Sequence, residues 1–297
     1  MNNLKNINII DHINISDVKW ILNPFPHAVI DNFLPKEVFD LISKNLKNVD
    51  KFNDVKKEFL SHVEYKKKVF GDKDLIGNLK LPVDILGSKK IKKIFENFFN
   101  VTNITSLTDW SNYGGYFPFH SMKTGGLLGT HVDHSHSRDN LLHVANAIFY
   151  VSENWEYEWG GETFFSNQSG FKMEKKIYPK PNRVVLFTHS PFSFHGVKKI
   201  NCPENHYRNT YYMDYYIHDN QINSLINHMQ SSYGIKLKYF FHSTTFIPLV
   251  PLGIKSFDLK FLISKKTYSY IFKYLRYLFS KYFLGYKISI LLKKLLS

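Results

Sequence analysis

The chain has little cysteine, almost no acidic residues near its carboxyl end and no long uninterrupted apolar run. Its 297 residues include one cysteine, Cys202, which excludes an internal disulfide and a thiolate-rich zinc or iron–sulfur site. A reducing, cytoplasmic setting is therefore expected. Residues 1–20 mix Asn, Asp and Lys with isolated apolar residues, so no secretory signal is expected there.

Positive charge is abundant and unevenly distributed. The formal net charge is +14, and residues 259–297 contain nine Lys and Arg but no Asp or Glu. No nucleic-acid motif accompanies these charges, so a solvated surface is favoured and no nucleic-acid partner is expected. With 43% hydrophobic and 16% aromatic residues, the chain has the composition of a folded globular protein.

Hydrophobic periodicity divides the chain into a helical part, a β-rich part and a basic end. Helices are predicted from Pro35 to about Val49 and over residues 88–99, and the polar stretch 52–82 is predicted to form loops. Between 101 and 217, short aromatic and β-branched runs separated by turns indicate antiparallel β structure. The candidate strands are 127–132, 144–151, 162–166, 184–187, 194–197 and 207–217.

Three side chains in the β-rich part have the chemistry of a metal site. His131 and Asp133 are two residues apart, so on a strand they point to the same face. A His-x-Asp triplet alone is weak evidence, but His195 follows 62 residues later (195 − 133), which in a jelly roll is several strands. Two histidines and one carboxylate leave adjacent positions open on the metal, an arrangement that suits Fe(II) oxygenases.

Arg208 is a candidate anion-binding residue on the last predicted strand, where it shares a face with Thr210. A guanidinium inside a barrel needs a carboxylate partner, and a ligand could supply one, with the Thr210 hydroxyl binding the same group. The alternative is a surface arginine on an edge strand.

Other polar residues have open alternatives. Asn146 and Tyr150 share a strand face and suit a polar pocket, although Tyr150 could equally be a core tyrosine with its hydroxyl at the rim. Strand parity predicts that His134, His136 and His143 are surface or loop histidines rather than ligands. Together with the aromatic residues Trp110, Tyr113 and Tyr116, they are candidates for the border of a substrate entrance.

The order of these motifs resembles the prolyl-4-hydroxylase-like family of 2-oxoglutarate and Fe(II)-dependent dioxygenases. The resemblance covers roughly residues 24–217, and the ordered set is more specific than any single motif. Its parts are Thr130-His131-Val132-Asp133, Ala147-Ile148-Phe149-Tyr150, Trp159-Gly160-Gly161-Glu162-Thr163, Asn182-Arg183-Val184-Val185-Leu186-Phe187, His195-Gly196-Val197 and Arg208-Asn209-Thr210, after a family-like opening over residues 26–35.

The resemblance implies a mainly β fold with flanking helices around a double-stranded β-helix, or jelly roll. It implies Fe(II) bound by His131, Asp133 and His195, 2-oxoglutarate anchored by Arg208, dioxygen as co-substrate and a role for ascorbate. Thr210, Tyr150 and Asn146 are the further candidate co-substrate residues. The dioxygenase domain is expected at 24–217, with a helical part at 24–100 and the jelly-roll core at 101–217, followed by a basic amphipathic helical extension at 218–297.

The expected activity is hydroxylation coupled to decarboxylation of 2-oxoglutarate, on a prolyl residue, a glycan or another small organic molecule. One alternative is a non-catalytic jelly-roll binding module, such as a membrane-associated adaptor. The other is a zinc-binding cupin. A helix is predicted from 267 to 284, too interrupted by charge to span a bilayer. Residues 257–297 are expected either to lie on a membrane surface or to pack on the protein or on a second copy.

Overall fold

One curled antiparallel sheet organises the part of the chain that the computed structural model describes. That part comprises residues 9–15, 18–46, 57–61, 63–71, 75, 77–107, 117–247 and 265–283. Trp110, Tyr113 and Tyr116, which the sequence suggested as a border of the entrance, lie outside the described residues. The sheet carries its amino-terminal helices on one face and a polar cavity on the other.

The amino-terminal part supplies a strand, β1 (His27–Ile30), and three helices. The helices are α1 (Lys36–Leu46), α2 (Leu81–Leu86) and α3 (Lys89–Phe99). The Ser88 hydroxyl caps α3 by accepting a hydrogen bond from the Ile91 amide, and Asn100 ends the helix in the left-handed conformation. The helices predicted from Pro35 and over 88–99 are confirmed within a few residues.

The remaining strands are arranged as a jelly roll. They are β2 (Lys57–Leu60), β3 (Glu64–Phe70), β4 (Thr105–Ser106), β5 (Phe119–Val132), β6 (Leu142–Tyr150), β7 (Thr163–Ser166), β8 (Met173–Ile177), β9 (Arg183–Thr188), β10 (His195–Val197) and β11 (Arg208–Ile217). Hydrogen bonds join them in the order β1-β9-β6-β11-β5-β10-β7-β8, and the ladders along this path are antiparallel. This non-sequential order confirms the expected double-stranded β-helix core.

The long strand β5 belongs to both halves of the jelly roll. Its residues 119–122 pair with β11, whereas Leu128 and His131 pair with β10. Gly125, with φ +83°, lies between the two paired stretches, and such a conformation is accessible to glycine at little cost. The strand therefore changes direction and connects the end of the cavity near β11 with the end near β10.

Strand β11 shows how alternation separates the core from the cavity. Tyr211 and Tyr215 face the helices, where their hydroxyls donate to the backbone oxygens of Leu79 (2.8 Å) and Leu86 (2.7 Å). Arg208 and Thr210, of opposite parity, face the cavity. Because the buried tyrosine hydroxyls are satisfied by the helices, the large aromatic core carries no polar penalty there.

Three strands, β2, β3 and β8, occur where the sequence analysis predicted none. The hairpin β2–β3 lies within the stretch 52–82, and β3 pairs with β5 along its length. Strand β8 contains the exposed run Glu174-Lys175-Lys176 and pairs only with β7 at the end of the sheet. Lysine-rich strands of this kind can lack alternating hydrophobicity. Pairing with a neighbouring strand, rather than burial of their own side chains, holds them in the sheet. The loop prediction for 52–82 was therefore wrong over β2, over β3 and over the start of α2.

Residues beyond 217 pack against the same core. Helix α4 (Ile222–Tyr233) buries Leu225 and Met229, strand β12 (Thr245–Phe246) pairs with β5, and helix α5 (Lys265–Phe283) covers β12. The helix predicted from 267 to 284 is confirmed as α5. Across the described residues, no helix is long and apolar enough to cross a membrane.

Candidate active site

The three predicted metal-binding side chains meet at the junction of β5 and β10. His131 and His195 are direct partners in the antiparallel ladder, and their ring centroids are 4.3 Å apart. Asp133 follows β5 immediately and reaches between them, with 3.5 Å from His131 Nε2 to its Oδ1 and 3.4 Å from His195 Nε2 to its Oδ2. The strand register thus places two imidazoles and one carboxylate side by side.

Both histidines are oriented by backbone carbonyls. His131 Nδ1 is 2.9 Å from the Gly129 oxygen, and His195 Nδ1 is 3.0 Å from the Ser193 oxygen. Because a carbonyl only accepts, each Nδ1 is assigned the proton and donates, which leaves the Nε2 lone pair pointing toward Asp133. One ligand atom from each residue lies within 4.8 Å of the others, a spacing that can hold a metal ion.

The charge state of this cluster favours a cation. Burial and, after it, the neighbouring His131 lower the pKa of His195 to about 4, so its imidazole is neutral near pH 7. Burial alone would raise the pKa of Asp133, but His195 and His131 hold it well below its usual range. Two imidazoles and one carboxylate are a donor set that suits Fe(II).

Asn146 contacts the triad from β6. Its Nδ2 donates to Asp214 Oδ1 (2.7 Å) and approaches Asp133 Oδ2 (3.4 Å). Burial and the nearby charge of Asp133 raise the pKa of Asp214 well above its usual range, so Asp214 is protonated when Asp133 is ionised. Within the described structure the buried Asn146 Oδ1 accepts no hydrogen bond. A bound group or water in the cavity would satisfy it.

Arg208 is buried, with 3% of its surface exposed, at the opposite end of the cavity. Its Nε donates to the Gly161 oxygen (2.7 Å) and its Nη2 to Thr163 Oγ1 (2.9 Å). A Cβ on Gly161, where φ is +74°, would lie 3.1 Å from Arg208 Cδ, so the glycine permits this close approach. Among the described residues no carboxylate lies within 4.0 Å of the guanidinium, and burial lowers the pKa of Arg208. Within the described structure the guanidinium therefore has no directly paired carboxylate, although a buried guanidinium requires an anionic partner.

Tyr150 contacts Arg208 and Thr163 from behind the cavity wall. Its hydroxyl donates to Thr163 Oγ1 (2.6 Å), and its ring centroid is 5.1 Å from Arg208 Cζ, a cation–π distance. Tyr150 is not among the residues that line the cavity, whereas Thr210 and Thr163 are. The structure thus places Thr210 beside Arg208 at the cavity wall, and Tyr150 behind it.

A cavity of about 460 Å³ joins these two groups. It is lined by both halves of the predicted site: His131, Asp133, His195, Asn146, Arg208 and Thr210. Its volume falls within the range of small-molecule sites. All the predicted site residues except Tyr150 therefore face one space, with the possible metal ligands at one end and a buried cation at the other.

Of the histidines that follow Asp133, His134 and His136 lie in the loop after β5 as predicted, whereas His143 lies on β6. His136 and His143 are buried rather than on the surface, and the ring of His143 stacks on His189 with 4.1 Å between centroids. The His134 Nε2 is 2.8 Å from the Tyr216 hydroxyl. Strand parity does not apply to the burial of the loop histidines because β5 ends at Val132. In the described part of the chain, only His131, Asp133 and His195 form a metal-capable group.

Several cavity residues were not predicted from the sequence. Thr163, the first residue of β7, bridges Tyr150 and Arg208. His120 lines the cavity beside Tyr212, and burial lowers its pKa well below the usual range. Tyr270 and Lys273 reach the cavity from α5. Their contribution depends on where the C-terminal helix packs, which no local pattern reveals.

The family comparison agrees with this geometry. Residues 117–214 match the model of the 2OG-Fe(II) oxygenase superfamily, a segment that runs from β5 to β11 and contains every predicted site residue. The chain carries a 2OG-Fe(II) oxygenase domain. The matched segment, 98 of the 297 residues (214 − 117 + 1), is similar to a dioxygenase domain whose cofactors are Fe(II), 2-oxoglutarate and O2.

Solved structures of similar shape come from several organisms. A Pseudomonas putida prolyl-4-hydroxylase has a TM-score of 0.47 at 12% identity and covers 71% of this chain and 97% of its own. A Trichoplax adhaerens prolyl hydroxylase has a TM-score of 0.45 at 15% identity, covering 70% of this chain and 87% of its own. HygX from Streptomyces hygroscopicus has a TM-score of 0.45 at 11% identity, covering 65% and 83%. No curated protein matches the sequence.

Proposed function

We propose that the oxygenase domain hydroxylates a C–H bond of an organic substrate and couples this to oxidative decarboxylation of 2-oxoglutarate. In this proposal His131, Asp133 and His195 bind Fe(II), and Arg208 binds the distal carboxylate of 2-oxoglutarate. The observation that carries it is the buried Arg208 guanidinium, which faces the same cavity as the triad and has no carboxylate within 4.0 Å among the described residues.

The residues around the metal ligands and Arg208 each have a defined task in this proposed reaction. The carbonyls of Gly129 and Ser193 hold the two imidazoles in the tautomer that binds a metal, and Asn146 fixes one oxygen of Asp133. Thr210 supplies a hydroxyl at the cavity wall near Arg208. Tyr150 acts through Thr163 and the Arg208 side chain, so it is a positioning residue.

When bound, Fe(II) supplies the site at which 2-oxoglutarate and dioxygen react. One oxygen atom enters succinate, carbon dioxide leaves, and the second oxygen atom forms the hydroxyl group on the substrate carbon. The protein orients the reactants along the cavity and excludes water from it. A prolyl residue, a glycan and another small organic molecule are the candidate substrates.

An anaerobic titration tests the proposal. Addition of Fe(II) and 2-oxoglutarate to the protein is expected to produce a visible charge-transfer band, which His131→Ala and Arg208→Ala abolish. His218→Ala, an exposed histidine just after β11, is the matched control and retains the band. A wild-type protein with a flat spectrum contradicts the proposal and favours a non-catalytic binding module or a zinc site.

Substrate identity is tested separately. Metabolite extracts incubated with protein, Fe(II) and 2-oxoglutarate are compared with incubations of Arg208→Ala by mass spectrometry. A species that gains one oxygen atom only with the wild-type protein identifies the substrate. Ascorbate is omitted from parallel reactions to learn whether turnover requires it.

A further inference from the structure

Helix α5 has an inner face that is fixed to the oxygenase core. The Tyr277 side chain is buried and its hydroxyl donates to the Pro191 oxygen (2.7 Å), in the loop that leads to His195. The Tyr270 hydroxyl donates to Ser61 Oγ (3.2 Å), and its ring contacts Phe246 at 5.4 Å between centroids. The helix therefore has a fixed orientation relative to the cavity.

The outer face of α5 is an exposed apolar stripe. It consists of Tyr268, Phe272, Leu275, Phe279 and Tyr282, each between 53% and 70% exposed. Their spacing of four and three residues places them in one line along the helix. Of the eight large hydrophobic residues that are exposed in the described structure, these are five. Such a concentration marks an interaction surface rather than scattered surface residues.

The charge around this stripe selects among its possible occupants. Arg276 is exposed and lies one turn from both Phe272 and Phe279 on the helix. The sequence from 259 to 297 contains nine basic residues and no acidic one. A second copy packed stripe to stripe would bring two such cationic segments together with no carboxylate of its own segment to neutralise them. An anionic surface has the complementary charge.

We propose that the outer face of α5 docks on the surface of an anionic lipid bilayer. The helix, of 19 residues, lies in the plane of the interface over a length of about 28 Å. Phe272, Leu275 and Phe279 enter the boundary between headgroups and acyl chains. Tyr268 and Tyr282, at the two ends of the stripe, keep their hydroxyls in the headgroup layer, where amphipathic aromatic rings are favoured.

Docking in this orientation places the catalytic cavity on the core side of α5, roughly one helix diameter of 10 Å from the lipid headgroups. Tyr270 and Lys273 line the cavity from the same helix that carries the stripe. Because the inner face of α5 is fixed to the core, the cavity keeps the same position relative to the docked helix and the bilayer. Substrates carried by the membrane then have a short path to the cavity.

Vesicle sedimentation of the full-length chain tests this proposal. Vesicles of phosphatidylcholine containing one third phosphatidylglycerol are compared with vesicles of phosphatidylcholine alone. The wild-type protein is expected to pellet with the anionic vesicles, and the triple variant Phe272→Ser/Leu275→Ser/Phe279→Ser to lose roughly tenfold or more of its affinity. The matched control, Tyr157→Ser/Phe171→Ser, removes two equally exposed aromatic residues elsewhere and pellets like the wild type.

A second variant tests the electrostatic component without touching the stripe. Arg276→Glu is expected to weaken pelleting with anionic vesicles by severalfold, and added salt to weaken it in the wild type. Unchanged pelleting of the triple variant, or equal pelleting with both vesicle types, overturns the proposal. So does a wild-type dimer in light scattering that the triple variant converts to a monomer, because a second copy then covers the stripe. Binding of Fe(II) and 2-oxoglutarate is expected to persist in all variants, which separates this test from that of the catalytic function.

Discussion

Replacement of Arg208 by methionine separates the effect of the buried charge on the stability of the protein from its effect on the binding of 2-oxoglutarate. The variant loses hydrogen bonds to the Gly161 oxygen and to Thr163, but it also removes a guanidinium that burial disfavours. Desolvation of one such ion costs several kcal/mol, similar to what two charged hydrogen bonds contribute. The stability of the ligand-free protein is therefore expected to change by no more than about 1–2 kcal/mol.

The effect on 2-oxoglutarate is expected to be much larger. Two charge-assisted hydrogen bonds from Arg208 to a carboxylate are worth about 1.5–3 kcal/mol each, so their loss raises the Kd by about 10²- to 10⁴-fold. At a ligand concentration near 100 times the wild-type Kd, 2-oxoglutarate stabilises the wild type by about 2.7 kcal/mol and Arg208→Met by less than about 0.4 kcal/mol.

Thermal unfolding with Mn(II), in the presence and absence of 2-oxoglutarate, measures both quantities without turnover. Arg183→Met is the matched control, because Arg183 pairs with Asp31 outside the cavity, with 2.6 Å from its Nε to Oδ1. That variant is expected to unfold at a lower temperature but to keep the full stabilisation by 2-oxoglutarate. If Arg208→Met is stabilised as strongly as the wild type, Arg208 does not bind the co-substrate and the reasoning from its burial is refuted.

Three further predictions concern the support of the site. Hydrogen bonding to Arg183 lowers the pKa of Asp31, so Asp31→Asn is expected to cost about 1 kcal/mol near pH 7. This difference is present above the ordinary Asp pKa and lost as the pH falls through the lowered one, which urea unfolding at pH 7 and pH 3 checks. In Gly196→Ala the new Cβ would lie 2.5 Å from the Leu128 oxygen, so β10 must shift, with an expected loss of about 1–3 kcal/mol and weaker Fe(II) binding in calorimetry. Tyr277→Phe leaves a buried carbonyl without its donor and is expected to cost about 1–2 kcal/mol in urea unfolding, while a wild-type midpoint would show that the hydrogen bond contributes nothing.

Local alternation made much of the site predictable. On β11 the parity of Arg208 and Thr210 places both at the cavity, and on β5 the same rule unites His131 and Asp133. Pairing across strands could not be read from one segment, but the order of motifs indicated that His195 would return beside His131, as the ladder shows. Period-two patterns are informative on β5 and β11 because each of these two strands has one polar and one apolar face.

Prediction failed where position depends on distant packing. The lysine-rich strand β3 has no apolar face of its own and is held by β5, so its sequence resembles a loop. His143 is buried because β6 lies between two neighbours, a fact of topology rather than of residue type. Helix α5 was predicted as amphipathic, yet its sequence offers apolar residues on both sides. Only the packing of Tyr277 into the core shows which side remains exposed.

The stacking of Phe246 on His131 has a consequence for the order of events during synthesis. The two rings are 4.9 Å apart, and Phe246 is also the partner of His131 in the ladder between β12 and β5. All three members of the triad leave the ribosome well before residue 246, but His131 then lacks the ring that restrains it on one side. During synthesis, the chain therefore contains His131, Asp133 and His195 before it contains Phe246, which contacts His131 in the folded protein. The contact between Phe246 and His131 therefore forms only after β12 has joined the sheet.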